Sequence, residues 1–257
     1  MNPLYHRTFG QGKPIVLVHG WAMHSGVWGD FAEQLARHYR VTCIDLPGHG
    51  RSAACADFSL ASISSALVDT VADEEACWLG WSLGATVVMD LAVRFPGRVG
   101  SLVLLAGNPR FVQQDASWPG MPVDVFDAFS RHLQQDSVAA LAQFLALQFL
   151  GVPGGKTQLR QLDGRLSQYA SPCQEILQSG LALLRQSDLR PLLPKLDKPT
   201  AVILGGKDAL VPAAVAPYFM GSSPKIQVEC IEGAGHVLFQ SHPEPILARV
   251  AKLMAVL

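Results

Sequence analysis

Short apolar runs that stop at a glycine or a polar turn recur along this chain: PIVLVHG (14–20), RVTCIDLPGHG (40–50), ACWLGW (76–81), RVGSLVLLAG (98–107), PTAVILGG (199–206) and KIQVECIEGAGH (225–236). Where such runs are continuous and do not alternate with polar residues, they suit strands covered on both faces. Helical patterns at 27–38, 60–72, 85–95 and 243–257 lie between or after them. That succession calls for βαβ units with right-handed crossovers. The expected class is α/β, with a mostly parallel central sheet flanked by helices.

One region breaks the alternation. From 111 to 190 no strand pattern is convincing, and the sequence reads as helices at 123–135, 137–150, 156–167 and 174–186, punctuated by turn clusters such as GVPGG (151–155). This is expected to be a helical lid (111–190) inserted into a core made of 1–110 and 191–257. At 257 residues the chain is long enough to bury about three quarters of its unfolded surface. Its longest apolar stretch, VAALAQFLALQFLGV (138–152), contains Gln143 and Gln148. It is too short to span a bilayer comfortably and reads as a buried or cleft-lining helix.

Charge and cysteines exclude several classes. A net charge of −1 gives no global field for nucleic acid or an anionic membrane. The five cysteines are scattered, with no CxxC pair, which argues against a disulfide framework or a zinc site and fits a reducing cytoplasm. The segment MNPLYHRTFGQGKP has no apolar h-region, so a secretory signal is not expected. HExxH and phosphate-loop patterns are absent from the sequence, so neither metal nor cofactor is expected.

Chemistry enters at Gly80-Trp81-Ser82-Leu83-Gly84, a G-x-S-x-G between a strand pattern and a helix pattern. In that setting the pattern is a nucleophile elbow: a sharp bend exposes the serine, and small flanking residues let strand and helix approach. Without its partners it is equally an ordinary turn. A serine hydroxyl needs a base to take its proton. The elbow predicts the chain order serine, acid, histidine. Asp208 follows the AVILGG run and His236 ends EGAGH, both at carboxyl ends of strand patterns, where active sites of open α/β sheets gather. The loop after the first strong run should supply one oxyanion-hole amide, from Trp21, and Leu83 the second. His19 is then a loop-shaping residue, and His49, in DLPGHGRS, a structural one.

Together, LVHGWAMHSGVW, DLPGHGRS, GWSLG, GGKDALVP and EGAGH resemble the α/β-hydrolase superfamily along essentially the whole chain. Further stretches, WLGWSLG, SWPGM, FLALQ, DLRPLL and HVLFQSHP, are similar to the carboxylesterases of biotin synthesis within it. Those enzymes remove the methyl ester from a pimeloyl chain held on an acyl-carrier protein. The resemblance implies the α/β-hydrolase fold, a Ser82–His236–Asp208 triad, an oxyanion hole at Trp21 and Leu83, and Phe144 lining the acyl channel. Lid arginines of that family meet the acidic carrier. Lys156 and Arg160 stand where two of these would fall, while Ala139 and Gln143 stand at two others without charge. Arg165 and Arg131 are the expected substitutes.

The expected reaction is two-step acyl transfer with methanol as the first product. Leu141, Phe144, Leu145 and Phe149 are expected to hold the methylene chain. A monomer is expected, with no nucleic-acid or membrane partner. A broad short-chain carboxylesterase or another serine hydrolase of the same fold is the alternative. A ligand-binding protein that merely keeps the fold is the non-enzyme reading.

Overall fold

A computed structural model describes residues 3–72, 75–113, 115 and 117–255. The ends of the expected core, positions 73 and 74, and positions 114 and 116 of the expected lid therefore lie outside the described residues, as do the last two positions of the helix expected at 243–257. In chain order the elements are β1 His6–Phe9, β2 Pro14–Val18, α1 Gly29–Ala36, β3 Arg40–Ile44, α2 Leu60–Thr70, β4 Ala76–Trp81, α3 Leu83–Arg94 and β5 Val99–Leu105. Four helices follow: α4 Val123–Gln135, α5 Ser137–Leu147, α6 Gly155–Leu166 and α7 Gln174–Gln186. The chain then returns to the sheet with β6 Thr200–Gly205, α8 Ala216–Met220, β7 Ile226–Ile231, α9 Leu238–Ser241 and α10 Pro243–Met254.

The strands form one sheet in the order β1-β3-β2-β4-β5-β6-β7. All neighbours are parallel except β1, which runs antiparallel to β3 at the edge. The apolar runs supply β2 to β7. The sequence reading missed β1, and the reason is physical. Its residues HRTF are largely exposed and mostly polar, and it is held at an edge by pairing with β3, including a 2.9 Å bond between the Thr8 and Thr42 hydroxyls.

Alternation along the central strands feeds two cores. On β2, Val16 and Val18 pack with α2 and α3, while Ile15 and Leu17 pack with α1 and α10. On β5, Leu102 and Leu104 take the first side, Val103 and Leu105 the second. Side chains on successive strand residues face opposite ways, so a strand buried on both faces must be apolar throughout.

Helix boundaries follow local chemistry. Ser59 caps α2 by accepting from the Ser62 amide, and Asp136 caps α5 by accepting from Ala139. The helix expected from residue 27 opens instead as a 3₁₀ turn, Ser25–Trp28, and α1 starts at Gly29, where φ is 42°. The Arg165 guanidinium fills the space that a Gly29 side chain would need. Residues of helices α4, α5 and α7 share a cavity with Trp21, Ser82 and Leu210 beyond the carboxyl ends of the strands. Among the described residues no helix is long and apolar enough to cross a membrane.

Candidate active site

One residue, Ser82, turns the chain from β4 into α3. Its backbone sits at φ 56° and ψ −117°, a region that costs a non-glycine residue about 1–3 kcal/mol. Three bonds hold it there. The Ser82 amide donates to the Leu105 carbonyl at 2.9 Å, and the Ser82 carbonyl accepts from Ala85 at 2.9 Å and Thr86 at 3.2 Å. The two glycines of the pattern are needed sterically. A Cβ on Gly80 would collide with the Gly84 carbonyl, and one on Gly84 with the Val18 carbonyl.

Asp208 and His236 arrive on neighbouring loops after β6 and β7. The loops are joined by the Lys207 amide donating to the Ala234 carbonyl at 2.8 Å. His236 Nδ1 lies 2.8 Å from Asp208 Oδ2, and His236 Nε2 lies 2.9 Å from the Ser82 hydroxyl. Asp208 Oδ1 is occupied by the Leu210 and Val211 amides at 2.8 and 2.9 Å, which leaves Oδ2 for the imidazole. The side chains are almost fully enclosed, with Asp208 at 0% and His236 at 1% exposure. Nδ1–H therefore donates to the carboxylate, and Nε2 is left to accept the serine proton.

The histidine is also pinned through its main chain. Its amide donates to the Gln148 carbonyl beyond α5 at 3.2 Å. Its carbonyl accepts from Trp81 Nε1 at 2.9 Å, and the Trp81 ring lies 5.5 Å from the imidazole. The residue before the serine thus fixes the loop that carries the base. A tryptophan beside the elbow was the only sign of this in the sequence. Trp78, on the opposite face of β4, instead donates to the Arg98 carbonyl at 2.9 Å.

Two amides, those of Leu83 and Trp21, are the ones the sequence placed beside the serine. Leu83 is the first residue of α3, so its N–H has no partner inside the helix. The Trp21 amide belongs to the Gly20–Trp21 peptide, whose carbonyl is 2.8 Å from His19 Nδ1. His19 Nε2 accepts from the Leu46 amide at 2.9 Å, so Nδ1 carries the proton and donates to the Gly20 carbonyl. A trans peptide points its C=O and N–H in opposite directions, so the Trp21 N–H is aimed away from His19. Burial, aided by nearby His49, lowers the His19 pKa to about 3 and keeps the ring neutral in this role. Burial likewise brings His49 down to about 4. Burial alone would raise Asp45, but hydrogen bonds from Ser25 and the neighbouring His19 hold its carboxyl below the ordinary value.

A cavity of about 410 Å³ opens above Ser82. Phe144 is among its lining residues. The expectation for the rest of α5 is corrected. Leu141 and Leu145 face a separate hollow of about 190 Å³ with Met23 and Tyr169, and Phe149 is buried in the core against the α1 face. The acyl-sized space is walled instead by Phe126 and Phe129 of α4 and Leu181 and Leu184 of α7. The 3.6-residue stripe of Phe126, Phe129 and Leu133 was the legible signal for α4. Helix α5 is apolar on nearly every face, so periodicity could not say which side met the cavity. Trp21 donates from its ring to the Leu177 carbonyl at 2.9 Å, tying α7 to the loop beside Ser82.

The basic residues divide. Lys156 and Arg160 are exposed on α6. Arg165, the third residue expected at a carrier contact, pairs with Asp30 at 3.1 Å and packs over Gly29, joining α6 to α1.

Comparison with known proteins agrees with this geometry. The model of the alpha/beta hydrolase fold family matches residues 13–243. The chain is 40% identical over 251 residues to the pimeloyl-[acyl-carrier protein] methyl ester esterase of Methylococcus capsulatus, covering 98% of this chain and 96% of that protein. It is 39% identical over 253 residues to the protein of the same name from Edwardsiella ictaluri, covering 98% and 97%. Among solved structures, an esterase from Exiguobacterium antarcticum superposes with a TM-score of 0.87 at 23% identity, over 97% of this chain and 94% of that one. Esterase RhEst1 from a Rhodococcus species superposes with a TM-score of 0.77 at 27% identity, over 97% and 94%. With its seven-stranded sheet, its serine at a strained strand-to-helix bend and a family match along most of its length, the chain belongs to the α/β-hydrolase family.

Proposed function

We propose that this chain is a serine carboxylesterase that hydrolyses the methyl ester of a pimeloyl chain on an acyl-carrier protein. The observation that carries the reading is the continuous relay Ser82–His236–Asp208, with bonds of 2.9 and 2.8 Å at the floor of an apolar cavity. The names of its near-full-length relatives supply the substrate.

His236 Nε2 takes the Ser82 proton as the hydroxyl oxygen attacks the ester carbonyl. The Trp21 and Leu83 amides stabilise the resulting oxyanion. Collapse breaks the bond to methoxide, which leaves as methanol with the proton from His236. Water then gives its proton to His236 and attacks the acyl-enzyme. The products are a free carboxylate on the carrier-bound chain and restored Ser82. Asp208 keeps the imidazole in the productive tautomer and stabilises its charged form. The methylene chain lies against Phe144, Phe129 and Phe126, gaining about 0.8 kcal/mol per CH₂ buried. Residues 111–190 act as the lid, and exposed Lys156 and Arg160 on it face the acidic carrier.

The test is incubation with pimeloyl-carrier methyl ester beside a free short-chain methyl ester, read by mass. The expected result is loss of the methyl group from the carrier-linked chain at the higher kcat/KM. Hydrolysis of the free ester alone would overturn the carrier substrate and leave a general carboxylesterase.

A further inference from the structure

The cavity above Ser82 is apolar except at one other place. His132 of α4 and Gln143 of α5 both reach its wall, and His132 Nδ1 lies 3.2 Å from Gln143 Oε1. Of its described lining residues, the remaining polar groups are the Ser82 hydroxyl and the Trp21 ring N–H, and the latter is engaged by Leu177.

Ring contacts fix the order along the cavity. Trp21, on the loop beside Ser82, lies 4.9 Å from Phe144 and 5.8 Å from Phe129, and those two rings are 6.0 Å apart. His132 is almost one turn beyond Phe129 on α4, and Gln143 precedes Phe144 on α5. Trp21 is buried, the two phenylalanines and His132 are half-buried, and Gln143 is exposed. The nucleophile is at the floor, an aromatic collar surrounds the middle, and the polar pair sits at the mouth.

The chemistry of the pair is specific. When His132 donates from Nδ1 to Gln143 Oε1, two groups are left facing outward: the Gln143 NH₂ as donor and His132 Nε2 as acceptor. One donor beside one acceptor is the complement of a secondary amide. An ester bound with its carbonyl at Ser82 and its chain through the collar would bring its distal end to this point.

We propose that His132 and Gln143 are specificity-determining residues that recognise an amide on the distal side of the acyl chain, as on the amide-containing arm through which a carrier protein holds its cargo. This rests on the reading of the chain as an esterase of carrier-linked substrates. It assigns discrimination to the cavity mouth, in addition to any basic residues outside it. A pair that served only to tie α4 to α5 would support all substrates alike.

The test compares two methyl esters of matching length: monomethyl pimelate as its N-acetylcysteamine thioester, which carries an amide at the place of the arm's first amide, and as an S-alkyl thioester of the same length without the amide. The variants are Gln143→Leu, His132→Phe and the near-isosteric Gln143→Glu, which keeps an acceptor for His132 but loses the NH₂ donor. The readout is the ratio of kcat/KM for methyl-ester hydrolysis of the amide-bearing substrate to that of the amide-free one. Because both rates come from the same variant, loss of folded protein cancels. The ratio is expected to fall about fivefold in each variant, on the scale of one net hydrogen bond, and to do so through KM. A ratio unchanged within twofold in all three overturns the proposal. The parent reading fails separately: wild-type protein that leaves the carrier-linked ester intact contradicts that reading, whatever the ratio does.

Discussion

Ser82→Ala is expected to lower kcat for methyl-ester hydrolysis by about 10⁶, and His236→Ala by a similar factor, with the double variant little worse than either. The two side chains act as one device. In the proposed mechanism the 2.9 Å bond from Ser82 Oγ to His236 Nε2 is the path along which the proton leaves as the oxygen becomes a nucleophile. Removing either end leaves the other without work to do, so the losses do not add. The proposed oxyanion-hole amides of Trp21 and Leu83 and the apolar cavity remain in all three variants and are expected to supply the residual rate. Alanine keeps the Cβ already accommodated at φ 56°, so circular dichroism should report an intact fold. Steady-state kinetics on a methyl ester checks the prediction, and substantial activity in Ser82→Ala would assign the nucleophile elsewhere.

Asp208→Asn is expected to cost about 10⁴ in kcat with little change in structure. The reason lies in how the carboxylate is held. Oδ1 accepts from the Leu210 and Val211 amides, so the oxygen of an asparagine must stay there. Its NH₂ then faces His236 Nδ1, now a donor where the imidazole needs an acceptor. The ring responds by moving its proton to Nε2, which can no longer take one from Ser82. The buried site offers no water to relieve the mismatch, since both side chains are at or below 1% exposure. The loss should fall on kcat much more than on KM, because the cavity walls are unaltered. A comparable activity for Asp208→Asn and wild type would mean that the acid is supplied from another position.

The sequence carried the frame of this site because each part of it has a local cause. Continuous apolar runs marked the inner strands, since burial on both faces tolerates little else, while edge strand β7 alternates with Gln227 and Glu229 and is exposed in part. Chain order joined Ser82, Asp208 and His236, although 154 residues separate the serine from the histidine. The glycines at 80 and 84 were legible as small residues, and the structure supplies the carbonyls that forbid anything larger. Other features have no local cause. β1 owes its existence to a neighbour's edge. The bond from Trp81 to the His236 carbonyl spans 155 positions and leaves no periodic trace. Which face of α5 meets the cavity depends on how α4 and α7 pack around it. Arg165 looked like a surface cation until Asp30 and Gly29 were seen beside it. The chemistry was encoded in short motifs, whereas the shape of the substrate space was encoded in helix packing.

The central claim is that His236 and Asp208 activate Ser82 as a nucleophile. Intact-mass and peptide mass spectrometry after treatment with a fluorophosphonate probe tests it directly. A single adduct on Ser82 in the wild-type protein, absent from Ser82→Ala and strongly slowed in His236→Ala, is the predicted result. No adduct, or an adduct at another residue, would contradict it.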